Sequence, residues 1–292
     1  MTDVLSDAPR EIARAVENMP PVSPVLAKIN EISSQMDTSP VEMVKIIMLD
    51  PVLTGKVIKL VNSSFYGLVQ KVQSLSQAVV YLGINTVKNL AISTALLSTV
   101  FKKGNASAFD PEVFWQHCLA TAICGKILAK QLKVQPADTE RFFIAGLLHD
   151  IGKALLTRVD AVRFDRALQE SRQLGVSLNF SEVAHFGCTH AQAGGLLARH
   201  WKLDSFLVEV IEEHHSYAVQ DPERDAVKGI IVIANNICKQ AQAGESGNCV
   251  IEEMADDIAQ RFGISDAVQV QASEMLPAEL EKAAIFLKIA RE

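Results

Sequence analysis

Apolar residues recur at helical spacing along almost the whole chain, and no stretch shows the strict alternation of a half-buried strand. Capping residues followed by a proline mark helix starts at Ser39-Pro40, Asp50-Pro51 and Asp110-Pro111. Ser74 and Gln77 fit a capping box ahead of a short helix that Gly83 would end. The pattern predicts an all-α protein, built as a multi-helix bundle.

Two polar breaks interrupt this helical pattern. Residues 102–110 (KKGNASAFD) and 243–249 (AGESGNC) are small, polar and turn-forming. About five helices are predicted before the first break, and this part of the chain contains no histidine. All seven histidines lie between Asp110 and about Ala243, and two or three amphipathic helices follow, up to Glu292. Any chemistry is therefore expected between the two breaks.

The composition narrows the classes of function. The 292 residues are 49% hydrophobic, enough for a large core, and the 28 Lys and Arg are scattered among 34 Asp and Glu without a basic tract, so no nucleic-acid partner is expected. Residues 1–21 are amphipathic and mixed in charge, and no stretch reaches bilayer-spanning length. These features predict a cytoplasmic protein without a membrane partner. The five cysteines form no CxxC pair and are predicted to be reduced, mostly buried thiols.

Several histidines are predicted to face the interior of the bundle. His117 continues the apolar row of a helix over residues 113–132. His149 and Asp150 continue apolar rows of one central helix predicted over residues 140–156, where nearly every face is apolar. A charged carboxylate in such surroundings is costly unless it is paired or binds a metal.

The same reasoning applies further along the chain. Thr189 is the predicted N-cap of a helix whose first residue, His190, faces inward. His214 shares the apolar face of its helix, and His215 lies beside that face. On the next predicted helix Asn235 faces inward.

Each inward histidine taken alone is most simply a hydrogen-bonded core residue. The set taken together indicates a shared pocket, and its members are His117, His149, Asp150, His190, His214 and His215. Imidazole with carboxylate is a ligand mix that Zn, Mn, Fe or Ni accepts, so one or two divalent transition metals are predicted. Between two metals, a bridging water would act as hydroxide at neutral pH. A metal-free, hydrogen-bonded core is the alternative.

The order of these residues resembles the metal-ligand series of the HD phosphohydrolase superfamily, which comprises all-helical, metal-dependent phosphatases and phosphodiesterases. The second element of that series is the LLHDIGK stretch that contains His149 and Asp150. Three earlier stretches, MPPVSPVLAKINEI, LDPVLTGKVIKLVNSSFYG and SLSQAVVYLGINTVKNLAI, resemble the N-terminal half of the HDOD family, the HD-related output domains of bacterial signalling proteins. The resemblance covers about Asn18 to Gln240.

This resemblance implies an HD-like bundle with an N-terminal helical subdomain. The expected organisation is a lead-in over residues 1–17, an HDOD domain over 18–243 with halves 18–104 and 105–243, and a C-terminal helical extension over 244–292. The resemblance also implies a role in signalling, with signalling proteins as partners. It implies catalysis less firmly, because hydrolase activity in this family is generally unproven. HDOD domains often stand beside receiver or GGDEF domains, whereas this one is expected to stand alone.

The sequence departs from the superfamily pattern in three places. HD hydrolases have an acidic metal ligand where this chain has Asn235. An amide is a weaker ligand than a carboxylate, so one metal is expected to bind poorly or to be lost. The run HHSYAVQDPERD lacks the glutamate and GYP signature of cyclic di-GMP phosphodiesterases. Val113 replaces the glutamate that would serve a third metal.

The NSSFYG stretch, residues 62–67, is predicted to be a turn whose aromatic residues serve packing.

Three hypotheses follow from the sequence. In the first, the chain is a signalling output protein whose pocket is structural or senses a small phosphorylated ligand. In the second, it is a metal-dependent phosphohydrolase acting on a nucleotide or phosphoester, with Asp150 and Lys153 as catalytic residues. Lys153 would then contact phosphate, unless it is a solvated lysine at a helix end. In the third, the chain is a metal-free helical scaffold.

Overall fold

The computed structural model describes residues 9–20, 23–33, 39–100, 109–215, 225–248 and 250–291. Regular structure among these residues is helical, and none of them forms a strand. The all-α prediction is therefore confirmed. The first polar break lies mostly outside the described residues, as do the residues that follow the double histidine.

The helices fall into three consecutive groups along the chain. The first group, six helices where the sequence predicted about five, comprises α1 (Arg10–Glu17), α2 (Pro24–Ser33), α3 (Pro40–Ile47), α4 (Pro51–Val61), α5 (Leu75–Leu82) and α6 (Ile84–Val100). The second comprises α7 (Pro111–Gln131), α8 (Pro136–Leu148), α9 (Ile151–Val159), α10 (Ala161–Leu174), α11 (Leu178–Phe186), α12 (His190–His200), α13 (Ser205–Glu213) and α14 (Ala226–Gln240). The third comprises α15 (Met254–Arg261) and α16 (Asp266–Arg291).

The helix starts occur where the capping residues predict them. The Ser39 and Asp50 side chains accept hydrogen bonds from backbone N–H groups in the first turns of α3 and α4. Thr189 forms a complete capping box at the start of α12. Ser74 caps α5, and Gly83 ends that helix with a φ of +82°, a backbone conformation that favours glycine.

The predicted central helix over residues 140–156 is wrong in one respect, because the structure divides it into α8 and α9. The backbone of Asp150 leaves helical geometry at φ −97° and ψ 10°, so His149 and Asp150 lie between the two helices. Apolar residues cover nearly every face of both helices, and hydrophobic periodicity therefore could not reveal the break. The break lies in the interior, where Asp150 is fully buried.

A half-buried lysine joins the N-terminal part of the chain to the second group of helices. The Lys126 ammonium of α7 forms an ion pair with Glu140 of α8. It also lies 5.5, 5.6 and 5.8 Å from the ring centroids of Phe65, Tyr66 and Phe143. Phe65 and Tyr66 belong to the NSSFYG turn, so the prediction that its aromatics serve packing is confirmed.

The last helix, α16, packs against both of the preceding groups. It contacts α4 and α6 of the first group and α7 of the second. Phe286 of α16 lies edge-on to Phe143 of α8, with 5.6 Å between the ring centroids. One apolar core accordingly runs from α1 to α16.

Two further sequence predictions concern the cysteines and the bilayer. Cys118, Cys124, Cys188 and Cys238 are free and buried, as predicted, and Cys249 lies outside the described residues. Among the residues that the structure describes, no helix combines the length and the apolar character needed to cross a bilayer.

Helices α9 and α12 approach each other at a glycine contact. A Cβ atom added to Gly152 would lie 1.8 Å from the His190 carbonyl oxygen and 2.7 Å from the Gly194 nitrogen. Only a residue without a side chain fits there. The contact sets the separation of Asp150, which precedes α9, from His190, which begins α12.

We expect Gly152→Ala to destabilise the protein by about 3 kcal/mol, because its methyl group would overlap backbone atoms of α12. Gly55 in α4 provides a matched control, since a Cβ there meets nothing within 4 Å. Gly55→Ala should stabilise the protein by up to about 1 kcal/mol through helix propensity. Urea unfolding of both variants checks this prediction, and equal stabilities would contradict it.

Candidate metal centre

The candidate residues from four parts of the fold converge on the Asp150 carboxylate. His117 comes from the middle of α7, His190 from the first turn of α12, and His214 from the end of α13. His149 precedes Asp150 at the break between α8 and α9. All five of these side chains are buried, and the side chain of His215, beside His214, is 6% exposed.

The two oxygens of Asp150 face different neighbours. Oδ1 lies 3.1 Å from His190 Nε2 and 3.3 Å from His214 Nε2. Oδ2 accepts a hydrogen bond of 2.6 Å from Lys153 Nζ and lies 3.3 Å from His149 Nε2. His117 Nε2 is more distant, at 4.0 Å from Oδ2. The carboxylate thus separates the histidines into two groups.

Two of the histidines are oriented by the backbone of their own helix. His149 Nδ1 lies 2.7 Å from the Gly146 carbonyl oxygen, and His214 Nδ1 lies 2.9 Å from the Ile211 carbonyl oxygen. Because these oxygens can only accept, the imidazole proton belongs on Nδ1 and the Nε2 lone pair faces Asp150.

Two more histidines are oriented by carboxylates. His190 Nδ1 lies 2.7 Å from Glu182 Oε2, and His215 Nδ1 contacts Glu252 Oε1. Their Nε2 atoms face each other at 3.0 Å. With the proton on Nδ1, both Nε2 atoms present lone pairs to the same space.

The result is a concentration of acceptors that face one another. His149 Nε2, His214 Nε2 and Asp150 Oδ1 are buried and have no hydrogen-bond partner among the described residues. Buried acceptors without donors are rare and costly, and a cation satisfies them together. Metal-binding histidines also typically donate the Nδ1–H to a carbonyl or carboxylate oxygen outside the metal site. The buried group of histidines and Asp150 could therefore hold a metal ion.

The possible ligand atoms form two overlapping groups, each within 4.8 Å. The first, here called the open group, consists of Asp150, His190, His214 and His215. The second consists of His117, His149 and Asp150, and we call it the shared group because it has Asp150 in common with the first. In the shared group, the chain already supplies partners: Lys153 occupies Asp150 Oδ2, and Asn235 Oδ1 lies 3.0 Å from His117 Nε2. The structure thus places the predicted ligand Asn235 against a histidine.

Burial sets the protonation of most of these groups. It lowers the pKa of both His117 and His214 to about 3, and that of His215 well below its usual value. Burial also acts to raise the pKa of Asp150, but the nearby His149 and Lys153 hold it well below its ordinary range. An ionised carboxylate and neutral imidazoles are the forms that bind metals.

His190 differs from its neighbours. Burial acts to lower its pKa, but the Glu182 carboxylate and the hydrogen bond with Asp150 together raise it above the ordinary value. The Glu182 oxygen accepts from both the backbone N–H and the ring of His190. Glu182 therefore favours protonation of His190, and a metal that binds this histidine has to replace the proton on Nε2.

Lys153 lies deeper than either sequence interpretation required. Its side chain is about 1% exposed and its ammonium is bound to Asp150. The alternative of a solvated lysine at a helix end is therefore wrong. The Lys153 ammonium contacts the carboxylate of Asp150, three residues earlier, and does not lie on a surface that a phosphate could reach.

The sequence analysis missed three charged residues of this centre. Glu182 lies on the buried face of α11 with Leu178 and Phe186, so helical spacing could have indicated it. Lys239 and Glu252 carry no comparable signal. They meet only because the chain returns to the pocket after α14, with Lys239 Nζ 3.5 Å from Glu252 Oε1.

Known proteins share the sequence pattern of this chain. Residues 19–217 match the HDOD domain family. An uncharacterized protein of Treponema pallidum (strain Nichols) is 22% identical over 224 residues, which are 77% of this chain and 43% of that protein. The chain thus spans less than half the length of the curated relative it matches.

Solved structures share the fold. An HDOD domain protein of unknown function from Geobacter sulfurreducens is 23% identical, with a TM-score of 0.73 and coverage of 97% of this chain and 96% of that chain. A protein of Shewanella amazonensis SB2B, provisionally named a phosphohydrolase, is 23% identical, with a TM-score of 0.71 and coverage of 96% and 98%. A protein of Marinobacter aquaeolei VT8, provisionally named a signal transduction protein, is 19% identical, with a TM-score of 0.78 and coverage of 99% and 67%.

The buried neutral state of His214 predicts that the metal-free protein is sensitive to acid. The native pKa is about 3, against 6.5 ordinarily, so between these values the unfolded chain binds a proton that the native chain does not. Stability should therefore fall as the pH falls through this window. One proton corresponds to about 1.4 kcal/mol per pH unit, and we expect His214→Gln to reduce the slope by up to that amount.

Urea unfolding of chelator-treated protein at several pH values within this window measures the slope. The same slope in wild type and His214→Gln would contradict the assignment of a neutral, buried imidazole.

Proposed function

The chain belongs to the HDOD family, and from that premise we propose that it is a regulatory protein of cytoplasmic signal transduction whose HD-like pocket holds one divalent transition metal as a structural element. The observation that carries this proposal is the difference between the two groups of ligand atoms around Asp150. The open group contains two of the three unpartnered acceptors, Asp150 Oδ1 and His214 Nε2. In the shared group, Lys153 already partners Asp150 Oδ2 and Asn235 already partners His117 Nε2, which leaves only His149 Nε2.

The open group would hold the ion. Asp150 Oδ1 and the Nε2 atoms of His190, His214 and His215 offer three imidazoles and one carboxylate, a set that suits Zn, Fe, Mn or Ni. A bound ion supplies the positive charge that the facing lone pairs need. It would thereby join α12, α13 and the break between α8 and α9.

The shared group argues against a second ion. An ion at His117 and His149 would have to displace the Lys153 ammonium from Asp150 Oδ2, where it is held at 2.6 Å. The neutral Asn235 amide, which stands where the resemblance predicts an acidic ligand, offers less than a carboxylate in exchange. A pair of ions that activates water and stabilises a phosphoryl group is therefore not expected here.

Burial also supports a structural role. Asp150 and His149 are fully buried, and Lys153, the residue that the phosphohydrolase hypothesis assigns to phosphate, is directed at Asp150. A phosphoester would reach these groups only after the helices separate. The output of the protein is then a contact with another signalling protein. The provisional name of the Marinobacter neighbour agrees with this function.

Metal content tests the proposal directly. Elemental mass spectrometry of protein purified without added metal or chelator should give close to one transition-metal ion per chain, and His190→Ala should lose it. The double variant Lys153→Met, Asn235→Asp frees Asp150 Oδ2 and restores a carboxylate, so it should bind close to two.

The two single variants are the controls, since each removes only one of the two obstacles. Two ions in the wild-type protein, or one ion in the double variant under saturating metal, would contradict the single-ion assignment. A fully folded protein without any ion would support the metal-free scaffold.

Phosphoester turnover tests the second hypothesis, which the convergence of the six predicted ligand residues and the provisional name of the Shewanella neighbour favour. We expect metal-loaded wild-type protein to be inactive across a panel of nucleotides and phosphodiesters. Turnover that Asp150→Ala abolishes would instead establish a phosphohydrolase.

A further inference from the structure

The chain returns to the pocket after α14. Residues 243–248 and 250–252, here called the closing segment, connect α14 to α15 and lie beyond residues 19–217, the part that matches the HDOD family. The closing segment contacts elements that carry candidate ligands at both of its ends.

Its first end lies directly on the helix of His117. Gly244 has a φ of +76°, and a Cβ added there would lie 2.3 Å from the backbone nitrogen of His117. The Glu245 N–H donates a hydrogen bond of 3.1 Å to the Val113 carbonyl oxygen in the same helix. The segment is therefore seated on the turn of α7 that faces the pocket.

Its second end is fixed by α14. The Asn236 side chain donates to the Glu252 carbonyl oxygen at 2.7 Å and accepts from the Glu252 N–H at 3.2 Å. Lys239, one turn later, donates to the Val250 carbonyl oxygen at 3.2 Å. Because α14 holds the backbone on both sides of the Glu252 side chain, the direction of that side chain is restricted.

The Glu252 carboxylate meets His215. Its Oε1 atom contacts His215 Nδ1, and Lys239 Nζ lies 3.5 Å from the same oxygen. His215 Nε2 then points into the open group, 3.0 Å from His190 Nε2. Unlike His149 and His214, His215 has a side chain from a distant part of the chain as the acceptor for Nδ1.

We propose that Glu252 is a positioning residue of the metal centre: its carboxylate holds the proton on His215 Nδ1 and directs Nε2 at the ion. This inference rests on the proposed metal centre and extends it beyond the family region. Outer-sphere carboxylates of this kind typically change metal affinity by 10- to 100-fold. A merely structural role, as an ion pair with Lys239, would change stability without acting through His215.

The experiment is a Co²⁺ titration of the chelator-treated full-length chain, followed by the visible absorption of the bound ion, which reports its coordination. We expect Glu252→Ala to weaken Co²⁺ binding by about 10- to 100-fold and to alter the spectrum. Glu252→Gln, which keeps an oxygen acceptor, should restore part of the affinity. Glu253→Gln is the matched control, because the adjacent Glu253 is exposed, and it should bind as wild type does.

A double-mutant cycle with His215→Ala shows whether Glu252 acts through this histidine. In the His215→Ala background, Glu252→Ala should cause no further loss of affinity. A further loss as large as that in wild type would overturn the positioning role, as would wild-type affinity and spectrum in Glu252→Ala. If circular dichroism shows that Glu252→Ala does not fold, the same comparisons with Glu252→Gln decide.

The titration also separates this inference from the proposed function. Wild-type protein that binds no Co²⁺, Zn²⁺, Mn²⁺, Fe²⁺ or Ni²⁺ would overturn the metal centre and the role of Glu252 together. Wild-type protein that binds metal, with Glu252→Ala unchanged, would overturn the role of Glu252 alone.

Discussion

The buried charge of Asp150 is the constraint on which the pocket depends. A carboxylate without solvent is tolerated only when positive charge and hydrogen-bond donors surround it. Lys153 supplies one such charge from within the same helical turn. Around the other oxygen, His190 Nε2 and His214 Nε2 lie 3.1 and 3.3 Å from Oδ1, and a neutral imidazole with its proton on Nδ1 has no hydrogen to donate there. This side of the pocket could therefore hold a metal ion.

The formal charges around Asp150 favour a cation at the same place. Among the described residues, the connected cluster around Asp150 contains three carboxylates, Asp150, Glu182 and Glu252, and two ammonium groups, Lys153 and Lys239. With neutral imidazoles, this leaves an excess of negative charge in a region of low dielectric. A divalent ion reverses that excess at the point where the acceptors face one another, whereas a second divalent ion would leave a larger positive excess.

Much of the fold and the inner residues of the centre follow from local sequence. Capping residues mark α3, α4, α5 and α12, and helical spacing directs His117 and His190 inward. The break at Asp150 was missed because both adjoining helices are apolar on nearly every face. The ion pair between Asp150 and Lys153 has ordinary i,i+3 spacing and could have been predicted. The contact of Glu252 with His215 joins residues 37 positions apart, and no local pattern encodes it.

The position of α16 determines which part of this chain could be fused to another protein without exposing its core. Because the helix contacts α4 and α6 as well as α7, both preceding groups of helices share it as a covering layer. A fragment that ended near the first polar break would lack α16, and apolar surface of the N-terminal helices would then be exposed. The part that can be recombined intact is therefore larger than the family region, and it includes the C-terminal helices.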